Sequence, residues 1–332
     1  MQPPFRVMGI ELSPYSVKVR SYCRYKRIPH EWIVRHMGNM DEFSKHAKLP
    51  LIPLVIGADG ASMQDSTPIL ETLEARWPEP SIHPPEPHAA FVSALLEEYA
   101  DEWGNKWMFH YRWWYEADQD SAAHRIASWN LPGAPDEAVA KAAASIKQRM
   151  VPRLSFVGSS EATRPLIEAS FEHVVELVEA HLATRPYLFG ARPAFADFGL
   201  WPQLYEAWTD PTPGALLNDR APRTVAWIER MLDPKEQGAF EPWSALAPTL
   251  EPLLRDEVGG RFLPWSTANA TALAAGEATF AVDLGGRRFE QQTQKYHARS
   301  LAALRQRYAA VPDKAALDPI LERTGCLGWL RG

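Results

Sequence analysis

Sulfur is scarce in this chain: its 332 residues include two cysteines, Cys23 and Cys326. A pair this sparse excludes a disulfide framework and suits a reducing compartment. Long apolar runs are missing too, and none approaches the roughly 20 residues that a helical membrane span requires. The opening MQPPFRVMGIEL lacks the charged and apolar blocks of a signal peptide, so a cytoplasmic location is expected. Positive charge is not in excess. The net charge of −6 argues against nucleic acid as a main partner. No cysteine–histidine or carboxylate cluster has metal spacing, and no metal is expected. Apolar surface, by contrast, is plentiful: 46 % of residues are hydrophobic, and there are 13 tryptophans. A chain of this length and composition can bury a large core and divides into two or three domains.

Residues 1–80 alternate strand and helix signals. A strand is expected over 5–10, then a helix after Ser13 whose apolar positions, Tyr15, Val19, Tyr22 and Cys23, recur at helical spacing. A strand over 32–34, a loose helix over 40–47, a hairpin turning at Ala58-Asp59-Gly60 and a helix from Ser66 complete the order βαβαββα. The proline-rich WPEPSIHPPEPH marks a linker, placed at 81–91. Residues 92–250 are expected to be all helical, over 97–114, 136–155, 165–183, 197–208 and 222–232. An extension, 251–332, is mixed, with a hairpin at Gly285-Gly286 and helices over 298–308 and 315–323. The fold class is therefore α+β.

The short run Ser13-Pro14-Tyr15-Ser16 carries the first chemical signal. Ser13 is a good N-cap, and Pro14 suits the first helical position, where its missing N–H costs nothing. A strand, a tight turn and a helix N-terminus bring together unpaired N–H groups and a positive dipole end, which favours an anion. A serine hydroxyl at that point can donate to a thiolate carried by a ligand.

Here the sequence resembles the glutathione transferase family. Ser-Pro-Tyr-Ser followed by Val-Lys-Val-Arg is similar to the active-site turn of its serine-type classes, and to the Cys-Pro-Tyr-Cys of glutaredoxins with both cysteines replaced. The resemblance implies a thioredoxin-like N-terminal domain and an all-α C-terminal domain over roughly 5–250, with glutathione as co-substrate. Ser13 would then hold the glutathione thiolate. Ile52-Pro53 in LIPLV matches the proline, usually cis, before the third strand of thioredoxin-like folds, and Ile52 would pair with the peptide backbone. Asp65 would face the γ-glutamyl ammonium, and Ser66 would hold its carboxylate. The run SKHAKLPL departs from the family pattern. For the glycyl carboxylate Lys48 is the expected cation, with Lys45 or His36 as alternatives. In RPAFADFGLWPQL, Ala194 stands where a capping hydroxyl belongs, at a cost of about 1 kcal/mol.

The helix EEYADEWGNKWMFHYRWWYEAD is rich in rings. In the family its counterpart lines the electrophile pocket, so Trp107, Tyr111 and Trp114, with Tyr15, are expected to contact a hydrophobic or aromatic electrophile. The resemblance implies a homodimeric transferase that uses the thiolate for conjugation or displacement. Two other readings stay open: a non-catalytic glutathione-binding protein, and a glutathione-dependent disulfide reductase.

Overall fold

The computed structural model describes residues 4–312 and 314–332. The first domain is built from β1 (Phe5–Gly9), α1 (Pro14–Tyr25), β2 (His30–Val34), α2 (Met40–His46), β3 (Leu54–Ile56), β4 (Ser62–Gln64) and α3 (Ser66–Arg76). The expected βαβαββα order is present. Its sheet runs β2-β1-β3-β4, with β1 parallel to β2 and antiparallel to β3. Helix α1 starts as its sequence dictates, with Ser13 at the N-cap and Pro14 in the first turn. It is buried nearly all round, because the sheet covers one face and the helical domain the other. Gly9 permits that packing: a Cβ there would lie 2.7 Å from the Ser16 side chain.

The second domain contains α4 (Pro87–Tyr99), α5 (Asn105–Trp114), α6 (Glu116–Asn130), α7 (Asp136–Met150), α8 (Arg164–His181), α9 (Phe195–Trp208), α10 (Pro211–Arg220) and α11 (Pro222–Met231). Helix α4 begins inside the expected linker, because Pro87 opens it in the first turn. A wide π turn over Ala100–Gly104 joins it to α5. At the head of α9, the lost capping hydroxyl of Ala194 is offset by its neighbour. Asp197 accepts from the N–H groups of Ala194 and Leu188 and from the Trp227 indole.

The extension does not begin at a break. Helix α12 (Trp243–Leu253) crosses the expected boundary and runs through a second π turn, Leu254–Phe262, into α13 (Leu263–Ala274). The hairpin of β5 (Thr279–Asp283) and β6 (Arg288–Gln292) follows, with Gly285 and Gly286 at positive φ, then α14 (Lys295–Ala310), α15 (Asp318–Arg323) and α16 (Leu327–Arg331). These elements share the core of the helical domain. Trp103 meets Trp265 and Phe289 with ring centroids 5.7 Å apart in both pairs. The indoles of Trp103 and Trp107 donate to Ser170 Oγ, which donates to Glu257 of the extension at 2.6 Å.

Candidate active site

Strand register gathers the candidate residues. Met8 of β1 lies opposite Leu54 of β3, and Leu54 lies opposite Gln64 of β4. The Ser13 turn follows β1, Ile52-Pro53 precedes Leu54, and Asp65-Ser66 follows Gln64. All therefore stand at one end of the sheet. The Ile52-Pro53 peptide is cis, as the resemblance implied.

Ser13 is buried, and its Oγ accepts from the Ser16 N–H at 3.3 Å. In that bond the hydroxyl acts as acceptor, so its own proton can still be donated. The turn before it is clamped from three sides. The Arg112 guanidinium donates to the Leu12 carbonyl at 2.9 Å while pairing with Glu206 and Asp210. Arg20 holds Glu11 through both guanidinium ends, and Tyr205 donates to Glu11 as well. No local sequence signal marks Arg112, because its role here depends on partners nearly a hundred residues away.

Asp65 sits at φ 75°, a left-handed conformation that an aspartate adopts at a cost, directly before α3. Ser66 is buried at the start of that helix. Gln64 fixes the loop beside them: its Oε1 accepts from the N–H groups of Lys48 and Leu49, and its amide donates to the carbonyls of Leu49 and Leu51. Lys48 and Lys45 have exposed side chains. The His36 ring is occupied as a cap for Gly38 N, which favours the lysines as the free cations of this edge.

Beneath this edge lies a buried ion cluster. Lys18 Nζ donates to Glu97 at 2.5 Å, to Asp101 Oδ2 at 2.6 Å and to Thr67 at 3.0 Å, tying α1 to α3 and to the end of α4. Burial alone would lower the Lys18 amine, but Asp101 and Glu97 outweigh it and keep it charged. Burial pushes Asp101 up to about 7, against the pull of Lys18.

The aromatic residues of α5 do not form the expected pocket. Trp107 and Tyr111 are buried in the core, Trp107 donating to Ser170 and Tyr111 packed on Phe171 with centroids 5.0 Å apart. Trp114 is half-buried against His110 and beneath Arg164. Helix α8 and the extension cover the face that sequence reasoning left open. Of the four, Tyr15 lines a cavity of about 200 Å³, with Glu102, Lys106, Tyr296 and His297 among its other walls. Tyr296 and His297 come from the extension, and no sequence signal marked them. Tyr296 donates to the Asp65 carboxylate, and His297 pairs with Glu102. Cys23 is core, its thiol pushed up to about 12 by burial.

A four-stranded mixed sheet, a serine-capped first helix and a following helical domain define a thioredoxin-like domain joined to an all-α one. Two family descriptions match the same regions: "Glutathione S-transferase, N-terminal domain" over residues 7–81, and "Glutathione S-transferase, C-terminal domain" over residues 152–230. Both domains of the glutathione S-transferase family are thus represented in the chain. It is 23 % identical over 104 residues to a probable glutathione S-transferase of Oryza sativa subsp. japonica, covering 29 % of this chain and 44 % of that protein. It is 33 % identical over 67 residues to the isoprene-epoxide–glutathione S-transferase of Rhodococcus sp. (strain AD45), covering 20 % of this chain and 27 % of that one. The alignments thus span less than half the length of either curated relative. Among solved structures, a glutathione S-transferase of Methylobacterium radiotolerans, crystallised with glutathione sulfonate, aligns over 74 % of this chain and 94 % of its own, with 18 % identity and a TM-score of 0.45. Among the described residues, no helix is long and apolar enough to cross a membrane, and no group of three or more potential metal ligands occurs.

Proposed function

We propose that this protein binds glutathione at the sheet end described above, keeps its sulfur as a thiolate, and transfers that sulfur to an electrophilic carbon. The observation that carries the reading is the Ser13 hydroxyl at the N-terminus of α1, on the same sheet end as Ile52-Pro53 and Asp65-Ser66. Ser13 donates to the sulfur, the Ile52 backbone meets the peptide, and Asp65 takes the γ-glutamyl ammonium. Ser66 and the α3 N-terminus take its carboxylate, and Lys48 the glycyl carboxylate.

The energetics suffice. Lowering a thiol pKa by about 2 requires roughly 2.7 kcal/mol of differential stabilisation. One hydrogen bond to a charged acceptor supplies about 1.5–3 kcal/mol, and a helix N-terminus adds roughly 0.3–1 kcal/mol. Ser13 is not the nucleophile, because among the described residues no histidine base is hydrogen-bonded to it. The two cysteines are buried with raised pKa values, so a disulfide reductase working at this site would draw both thiols from glutathione. A homodimer and a cytoplasmic location are carried over with the reading; light scattering checks the first.

Ser13→Ala is expected to bind glutathione with little change by calorimetry. Its turnover at pH 7 should fall about ten- to a hundredfold, matching a loss of roughly 1.4–2.7 kcal/mol. The deficit should shrink above pH 9, where the thiol ionises unaided. Unchanged turnover at pH 7 would remove Ser13 from the mechanism.

A further inference from the structure

The cavity between the two domains and the extension is walled by charge. Tyr15, Asp101, Glu102, Lys106, Tyr296 and His297 line its space of about 200 Å³. Phe156 and Tyr296, 51 % and 47 % exposed, stand at its mouth.

Its charges do not balance. Lys18 is shared between Glu97 and Asp101, and His297 is matched by Glu102. Lys106 offers little compensation. It is fully buried, with its amine 3.9 Å from the centroid of the Trp265 ring and donating to neutral acceptors, Gln291 Oε1 and the Val157 carbonyl. Burial drives it well below the ordinary lysine range. Asp65, bonded to Tyr296, adds a further carboxylate beside the cavity. Most telling is Asp101. Its side chain is 9 % exposed, its Oδ2 is taken by Lys18 and Thr67, and its Oδ1 is buried with no partner. An unpaired buried oxygen of this kind costs roughly 1–3 kcal/mol, more when charged, until a donor reaches it.

We propose that this cavity is the electrophile pocket and that it selects compact substrates carrying an ammonium group, which donates to Asp101 Oδ1 and lies beside Glu102. The inference rests on the glutathione reading above and narrows its substrate class; it replaces the aromatic electrophile expected from the rings of α5. In the reaction, the glutathione sulfur attacks the carbon bearing the leaving group. A C–S bond forms, the carbon–halogen bond breaks, the halide departs with the electron pair, and the thiol proton passes to water.

The test compares 3-bromopropylammonium with 1-bromobutane, which share leaving group and chain length and differ in NH₃⁺ against CH₃. After subtraction of the uncatalysed rates, the expected kcat/KM ratio in the wild-type protein is at least tenfold in favour of the ammonium. Asp101→Asn and Glu102→Gln should each bring that ratio below about threefold, a change in discrimination of roughly 0.7 kcal/mol or more. Because Asp101 also anchors Lys18, Glu102→Gln serves as the variant that leaves the ion cluster in place. A general loss of structure lowers both rates and leaves the ratio alone. A wild-type ratio near one, or a tenfold ratio that survives both substitutions, overturns the proposal. So does a Glu102→Gln protein that loses glutathione affinity with its ratio intact, since the charge then serves the tripeptide. Failure of the glutathione reading looks different: neither bromide is conjugated. The cavity is then judged by calorimetry with n-butylammonium, expected to bind wild type at least tenfold more tightly than either variant; absence of wild-type binding overturns the proposal on its own.

Discussion

At the scale of single residues, Asp65 is the position where conformation and chemistry conflict most. A non-glycine residue at φ 75° costs about 1–3 kcal/mol, and such cost persists where the surroundings require the geometry. Here it sets a carboxylate beside the N-terminus of α3. Asparagine tolerates the same φ but lacks the charge. Asp65→Asn should therefore keep its melting temperature and weaken glutathione binding about ten- to a hundredfold, the worth of a charged hydrogen bond at roughly 1.5–3 kcal/mol. Calorimetric affinity unchanged from wild type would take the ammonium away from Asp65. The places of Ser13 at the start of α1, Pro53 before β3 and Asp65-Ser66 at the start of α3 were legible in the sequence, because helix starts and strand-leading prolines are local chain chemistry. Trp107 and Tyr111 were misread because a stripe of rings does not say which face a distant helix will cover. Hydrogen bonding alone also misleads. Ser159, His110 and Glu168 form a series like a hydrolytic triad, at 2.7 and 3.2 Å. Yet Ser159 is buried, its N–H donates to Leu154, and that of Ser160 to Thr163, so neither of these two amides is left to hold an oxyanion. The series is structural.

Between elements, the decisive tie is Lys18, which joins α1, α3 and α4 beneath the sheet end. Removing one member of a buried ion cluster leaves the others uncompensated, typically at about 3–5 kcal/mol. Lys18→Met should lose stability of that order in urea denaturation, and adding Glu97→Leu should recover part of it. A single substitution costing under about 1 kcal/mol would mean that the two carboxylates are protonated in the fold and do not need the lysine. None of this was readable from α1 alone, where Lys18 counts as one more surface cation. The element order of the first domain was readable, because each segment is short, periodic and bounded by turn residues. Helices α6 and α10 were not. Both carry weak amphipathic patterns and gain their place by packing, α6 on α7 and α10 on α9. The continuity of α12 into α13 was hidden by the prolines at 248 and 252 and by the π turn between the two helices, which ordinarily suggest a break.

For the whole molecule, the extension belongs to the core, and its attachment makes the fold sensitive to pH. Burial raises Glu257, which ties Ser170 and Tyr99 to the extension, to about 7. Asp197 and Asp101 are likewise pushed up to about 7, and Glu206, behind Arg112, to about 8. In the unfolded chain such groups ionise near 4. Between pH 4 and pH 8 the folded protein therefore binds more protons than the unfolded one, and stability falls as pH rises. His181 acts in the opposite sense: burial lowers it to about 4, so its contribution grows with pH, but only up to its unfolded value near 6.5. Lys106, also lowered, favours higher pH beyond that point, one group against four. The acids prevail from pH 6.5 to 8. Each extra proton held by the fold is worth about 1.4 kcal/mol per pH step of one, so the melting temperature should drop by about 3 °C or more across that window in scanning calorimetry. Glu257→Gln should make the slope shallower, because an amide keeps the polar contacts without titrating. A melting temperature that stays flat or rises would mean that these carboxylates are held ionised, Asp197 by its N–H donors and the others by their arginine and lysine partners. The attachment of the extension would then be an ordinary ion pairing, indifferent to neutral pH.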